Sequence, residues 1–285
     1  MAGFFRELAS IAVLAFSVST MLAAGLGHTL HHLFTPMRDA RAVIRALLAN
    51  FVLVPLLALA TIRALPLSPS YASGVMLLAT AAGAPILLKL TRAAHGNVPL
   101  SASLLMLLLP ITVFYMPFVV PLVVPGARVS PIAVALPLLV TMLLPMAAGL
   151  LLRARKRALA ERLQPWAGRA STVALVTVIL ATVAASARGL GRLIGEGAIL
   201  APLVVILGAF AIGYLLGREY RGGDVVLGFG TAQRNIAAAM VVATQGLGDP
   251  DAVLMLVVAS LLQFALLFPL AWMLKRTGVR RVART

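Results

Sequence analysis

Residues 225–245 read Val-Val-Leu-Gly-Phe-Gly-Thr-Ala-Gln-Arg-Asn-Ile-Ala-Ala-Ala-Met-Val-Val-Ala-Thr-Gln, an apolar run with Thr231, Gln233, Arg234 and Asn235 at its centre. About 20 residues of α-helix cross the roughly 30 Å hydrocarbon core of a bilayer, so this stretch is long enough to span one. Arg234 then lies about ten residues from either end, roughly 14 Å at helical rise, too deep for easy snorkelling. An ionisable residue at that depth costs at least about 2.5–3.5 kcal/mol and normally faces a cavity or a partner. Gly228 and Gly230 directly precede the polar group. A helix interrupted in this way at mid-membrane depth points to the binding site of a secondary transporter.

A second stretch has the same character. Between Tyr71 and Leu90 the apolar run is interrupted by Gly83-Ala84-Pro85, and Lys89 follows. If the helix continues through, Lys89 snorkels to the interface beside Arg92; if the chain crosses inside the protein at the break, Lys89 reaches the cavity. Pro110, Pro117, Pro121, Pro137 and Pro145 read as packing features, since proline is common in transmembrane helices.

Of the 285 residues 61% are hydrophobic and 11% charged, and the mean hydropathy is +1.04. A soluble domain carries roughly 45–50% apolar and about 25% charged residues, so a water-soluble fold is excluded. Apolar runs give nine expected spans, near 8–27, 43–62, 71–90, 98–122, 131–152, 170–187, 197–216, 225–245 and 252–274. Runs this long mean an all-α integral membrane bundle in one transmembrane domain, residues 1–285. The segment from Leu8 to Leu26 reads as a first span rather than a signal peptide, because equally apolar spans follow it. Spans three and eight are five apart. If a first repeat (about 1–125) has lost the leading helix of five and a second (about 131–275) keeps it, both breaks fall on the fourth helix of inverted repeats.

The formal net charge of +16 is chiefly an orientation signal. Arg38, Arg41, Arg45, Arg92, Arg153, Arg155, Lys156, Arg157, Arg162, Arg169, Arg218, Arg221, Lys275, Arg276, Arg280, Arg281 and Arg284 fall on one side of the nine spans. Arg6, Arg63, Arg128, Arg188 and Arg192 fall on the other. The positive-inside rule puts the N-terminus outside and the C-terminus in the cytoplasm of a multi-pass cell-membrane protein. The run Arg153 to Arg157 and the tail Lys275 to Arg284 also suit anionic lipid headgroups. No aromatic residues interleave with them, which disfavours nucleic acid.

The acids Glu7, Asp39, Glu161, Glu196, Glu219, Asp224, Asp249 and Asp251 all fall in loops or at span ends, so Arg234 has no acidic partner in a span. An anionic substrate held by the planar guanidinium fork is the economical partner. His28, His31 and His32 could share a helix face as metal ligands, but at a span end interfacial solvation is the commoner role. With no cysteine and no catalytic motif, thiolate metal sites and enzyme chemistry find no support, and no cofactor is expected.

These residues resemble the bile acid:sodium symporter family over almost the whole chain. Gly25-Leu26, the stretch Asn50-Phe-Val-Leu-Val-Pro55, the turn His95-Gly-Asn-Val-Pro-Leu-Ser101, Gly213-Tyr-Leu-Leu-Gly217 and Arg234-Asn235 follow its motifs in order and spacing. The resemblance implies a core domain with two broken helices that cross near the substrate and ion sites, a panel domain beside it, and nine helices in members lacking the first. It also implies substrate contacts from Arg234, Asn235, Gln233, Thr231, Asn50, Ser101 and, if it reaches the cavity, Lys89.

The departures concern sodium. The family's Pro-Gly-Gly followed by Ser-Asn is here Ala82-Gly83-Ala84 followed by Leu87-Leu88, and its Glu-x-Gly-x-Gln-Asn is Gly230-Thr-Ala-Gln-Arg-Asn235. Of the family's sodium ligands Ser101, Asn50 and backbone carbonyls remain, and Arg234 stands where the ion would sit. The expectation is an organic-anion transporter not coupled to sodium through the usual sites. Ordinary sodium-coupled symport is the alternative. Metalloid efflux would rely on a cysteine. A transport-inactive sensor or scaffold would be expected to add a soluble domain or long tail, and about ten residues follow the last span.

Overall fold

The computed structural model describes residues 2–27, 39–124, 130–185, 197–219 and 222–282. His28, His31 and His32 lie outside the described residues, as do Arg38, Arg128, Arg188, Arg192, Glu196, Arg221 and Arg284. In chain order the helices are α1 (Ala2–Gly27), α2 (Ala40–Ala64), α3 (Pro69–Thr80), α4 (Leu87–Ala93), α5 (Val98–Val123) and α6 (Pro131–Arg155). They continue as α7 (Arg157–Ala185), α8 (Leu200–Gly217), α9 (Gly223–Ala232), α10 (Ile236–Val241) and α11 (Pro250–Val282). No strand occurs among the described residues.

Helix starts follow local chemistry. Ser68, Asn97 and Ser130 each accept a hydrogen bond from a first-turn N–H, and proline stands in the first turn that follows. The cap satisfies one orphan donor and proline removes another.

Among the described residues eight stretches are long and apolar enough to cross a membrane, the run Gly223–Gly246 through α9 and α10 being one of them. The expected third span is not among these, because the extended chain after Thr80 divides it into α3 and α4, of 12 and 7 residues. A second difference concerns the segment before residue 170, expected to be a loop. It is the first part of α7, because Ala158 to Gln164 are good helix formers and Arg157 Nε donates to Glu161 Oε1 at 2.9 Å one turn on. Lys156 alone separates α6 from α7.

The prolines act in two ways. Pro110, Pro117 and Pro121 sit inside α5 without ending it. Pro55 and Pro145 each follow a π-turn, Ala49–Leu53 in α2 and Leu139–Leu143 in α6. A π-turn shifts the hydrogen-bond register and leaves carbonyls in need of other donors.

Helices α1, α6 and α7 pack mainly on one another. Gly25 of α1 and Gly149 of α6 bring the two backbones together, and a Cβ on Gly149 would lie 2.8 Å from Leu22 O and Leu26 N. Thr20 and Ser171 share a hydrogen bond of 2.5 Å between α1 and α7. In the rest of the bundle α8 packs along α9, and α11 packs on α3 where Gly74 makes room for Met255. Phe114, Phe118, Leu122, Leu180 and Trp272 remain exposed, as lipid-facing side chains do. The protein is an all-α, multi-pass membrane protein.

Gly83, in the break between α3 and α4, has φ +76°, and a Cβ there would sit 2.9 Å from Leu109 N. Gly248 also has positive φ, +61°, but opens on free space. Gly248→Ala therefore carries only the left-handed backbone cost, about 1–2 kcal/mol. Gly83→Ala adds overpacking of about 1–3 kcal/mol. Thermal unfolding in detergent should show the larger drop for Gly83→Ala, at roughly 2–4 °C per kcal/mol for a chain of this size.

Candidate functional site

The two interruptions meet inside the bundle. After α3 ends, Ala82 is fixed to α5: its N–H donates to Thr112 Oγ1 at 3.2 Å, and that hydroxyl donates to Ala82 O at 3.0 Å. After α9, the chain Gln233-Arg234-Asn235 passes the first break, and Asn235 N–H donates to Ala81 O at 2.8 Å. Asn235 Nδ2 donates to Gly83 O at 3.0 Å, while its Oδ1 accepts from Ala238 N–H at 3.1 Å and caps α10. One amide thus ties the two breaks together and starts the helix that follows.

Arg234 fills the centre and is 0% exposed. Its Nε donates to Leu78 O at 3.2 Å, Nη1 to Asn50 Oδ1 at 2.7 Å and to Thr231 O at 3.2 Å, and Nη2 to Asn50 O at 3.3 Å and to Ala79 O. A guanidinium has five N–H donors, and each has an acceptor here. The acceptors are carbonyls that helix geometry leaves free. Leu78 and Ala79 lie in the last turn of α3, and Thr231 lies in the last turn of α9. In the π-turn of α2, Val54 N–H bonds to Ala49 O, and Pro55 has no N–H to offer. Asn50 O is therefore open to Arg234, and Phe51 O takes the Tyr115 hydroxyl at 2.8 Å.

The arrangement is a cation site built from neutral oxygens. The C-terminal ends of α3 and α9 both point at the guanidinium, and those ends carry partial negative charge. Among the described residues no carboxylate pairs with Arg234. Its charge is coordinated but not neutralised, and the fork expected to meet a substrate carboxylate is engaged by the protein.

Of the other expected site residues, Asn50 and Thr231 sit against Arg234 and against each other, with Asn50 Nδ2 donating to Thr231 Oγ1 at 3.3 Å. Gln233 is buried at the end of α9, its N–H on Phe229 O at 2.8 Å. Ser101 is also buried, but its hydroxyl donates to Val98 O at 2.8 Å within the first turn of α5, and among the described residues no hydrogen bond joins it to the Arg234 cluster. Lys89 is exposed on α4 and does not join the cluster, so the crossing chain does not carry it inward.

Sequence reasoning passed over Gln263, at the middle of the last span, as well as Thr112 and Tyr115. Gln263 Oε1 accepts the backbone N–H of Arg234 at 2.8 Å, and this fixes which end of the amide faces the crossover. Its Nε2 is buried and has no partner among the described residues. The signal was a neutral polar residue at mid-membrane depth; attention to ionisable groups missed it.

An open cleft lies beside the cluster, lined by Ala46, Val43, Leu104, Leu107 and Leu227, with Asp39 and Ser103 as its polar residues. Ala46 O accepts from Asn50 Nδ2 at 3.0 Å, and Leu104 abuts Gly230, so the cleft borders the guanidinium site. Asp39 Oδ1 caps α2 through the N–H groups of Arg41 and Ala42.

The model of the family described as the Sodium Bile acid symporter family matches residues 14–192. A search among curated proteins finds no match. The matched region takes in the first break and the π-turn at Asn50, and ends before the second break. It spans more than half of a chain whose crossing, interrupted helices meet at a cation site. The chain belongs to the sodium bile acid symporter family, a family of transporters and not of enzymes.

Proposed function

We propose that the protein is a secondary transporter of a small or amphipathic organic anion in which Arg234 is a built-in cation that stands in for sodium at the crossover. The observation that carries this is the guanidinium held by the carbonyls of Leu78, Ala79, Thr231 and Asn50. In transporters with broken helices, half-helix C-termini and unwound carbonyls are the groups that coordinate a driving ion. An ion bound by them can leave on either side of the membrane, but a side chain cannot. The anion then moves without the sodium gradient as its driving force, by alternating access between inverted repeats of about residues 1–125 and 131–275.

The substrate meets the charge of Arg234 more than its N–H groups. One unneutralised charge about 6 Å away contributes about 3 kcal/mol at an effective dielectric constant of about 20. Gln263 Nε2, buried beside the crossover without a partner among the described residues, would donate to a substrate oxygen that entered there. The apolar cleft next to the site suits a hydrocarbon body. The exposed Arg155, Lys156, Arg157 and Arg162 suit anionic headgroups on the cytoplasmic face, whereas Arg153 turns inward to Leu26 O at 2.9 Å.

Uptake of organic anions into proteoliposomes should proceed at the same rate with a sodium gradient and with a potassium gradient. A strong sodium requirement would overturn the reading and return ordinary symport. Arg234→Gln should cut anion uptake by about two orders of magnitude, in line with about 3 kcal/mol lost; unchanged uptake would make Arg234 purely structural. The same variant leaves carbonyls of α2, α3 and α9 without donors at about 1–3 kcal/mol each. Its melting temperature should fall, and sodium should raise it again in the variant but not in the native chain, since ligand binding stabilises the folded state.

A further inference from the structure

We propose that Thr112 is a positioning residue for the Arg234 charge, and that with Tyr115 and Gln263 it sets how tightly the crossover holds an anion. The inference deepens the transport reading and rests on it for its kinetic readout. Among the described residues none of the three bonds to the guanidinium, yet each bonds to a segment that holds it.

Thr112 is 0% exposed and lies in the middle of α5. A threonine or serine buried in a helix commonly donates to a carbonyl three or four residues back. Thr61, Ser73, Thr80 and Ser260 all do so, at 2.7–2.9 Å. Thr112 instead turns its hydroxyl onto both backbone groups of Ala82, accepting from the N–H at 3.2 Å and donating to the carbonyl at 3.0 Å. Ala82 lies beyond the end of α3, where no helix of its own satisfies these groups. On either side of it, Ala81 O and Gly83 O take the two N–H donors of Asn235. Just before it, Leu78 O and Ala79 O take the guanidinium. One hydroxyl therefore fixes the piece of backbone on which Arg234 and Asn235 both rest.

Tyr115 stands one turn further along the same face of α5. Its hydroxyl donates to Phe51 O at 2.8 Å and its ring lies 4.8 Å from that of Phe51, next to Asn50. Helix α5 thus positions two of the three segments that supply acceptors to Arg234. The remaining support comes from α11, where Gln263 Oε1 takes the Arg234 N–H. The bond from break to supporting helix spans 30 residues for Ala82 and Thr112 and 29 for Arg234 and Gln263. The near-equal spacing gives α5 and α11 the same part at the two breaks, as the inverted-repeat reading requires.

Position matters because the charge acts through distance. At an effective dielectric constant of about 20, a charge that drifts from about 6 to about 8 Å from an anion loses a factor of about three in affinity.

The test uses the full chain and two readouts. One is uptake of radiolabelled benzoate and cholate into proteoliposomes, with KM and Vmax determined separately. The other is hydrogen exchange of residues 78–84 and 232–237 in detergent, which needs no substrate and decides the positioning role even where uptake is absent. Thr112→Val should raise KM by about threefold or more, and should speed exchange of both segments by about tenfold, the equivalent of one or two hydrogen bonds. Thr112→Ser should restore native values. Thr61→Val, which removes a hydroxyl bonded within its own helix, should leave KM and exchange unchanged. Tyr115→Phe should raise KM while leaving exchange of 78–84 near native, and it carries the kinetic test if Thr112→Val does not fold. A threonine that merely stabilises the fold would lower Vmax through loss of folded protein and leave KM alone. That result, unchanged exchange of 232–237 in Thr112→Val, or a serine variant that behaves like the valine one would each overturn the proposal.

Discussion

In hydrocarbon a carbonyl without a donor has no water to turn to, and the interruptions of α2, α3 and α9 expose several such carbonyls at one depth. The guanidinium of Arg234 supplies the donors. Its five N–H groups lie in one plane, and the acceptors come from three segments: the π-turn at Asn50, the end of α3 and the end of α9. Breaking helices at mid-membrane depth is tolerable here because one side chain answers the carbonyls that the breaks release. The same contacts hold the crossing segments in register, with Asn235 N–H on Ala81 O as the direct backbone link.

A metal ion could serve the carbonyls equally well, and the difference between ion and arginine lies in what each can leave behind. An ion carries its charge away when it dissociates, so it links the site to a gradient. A guanidinium tethered at residue 234 keeps its charge in place through any cycle. With no carboxylate paired to it among the described residues, that charge is available only as an electric field.

Proline and glycine have different consequences at different places in this fold. Pro110, Pro117 and Pro121 lie within α5, and the helix continues through them. Pro55 withholds an N–H from the π-turn of α2, and the carbonyls so freed are taken by Arg234 and Tyr115. Gly25 and Gly149 merely let α1 and α6 approach, whereas Gly83 takes a left-handed conformation against the backbone of α5. Residue type alone does not distinguish these cases; the partner that receives each freed group does.

The sequence by itself determined the membrane class, the approximate place of each apolar run, the break before Pro85 and the lone arginine in a run without acids. These are local properties, set by hydropathy, chain length and the thickness of a bilayer. The family resemblance also singled out Asn50, Thr231 and Asn235, of which Asn50 and Thr231 hold Arg234. Only the tertiary structure decided what surrounds Arg234, because its acceptors at Asn50, Leu78 and Ala79 lie more than 150 residues away along the chain. It likewise left Lys89 at the surface, turned Ser101 toward its own helix and brought Gln263 to the crossover. Which oxygens meet a buried charge depends on how distant segments approach one another, and no local pattern encodes that.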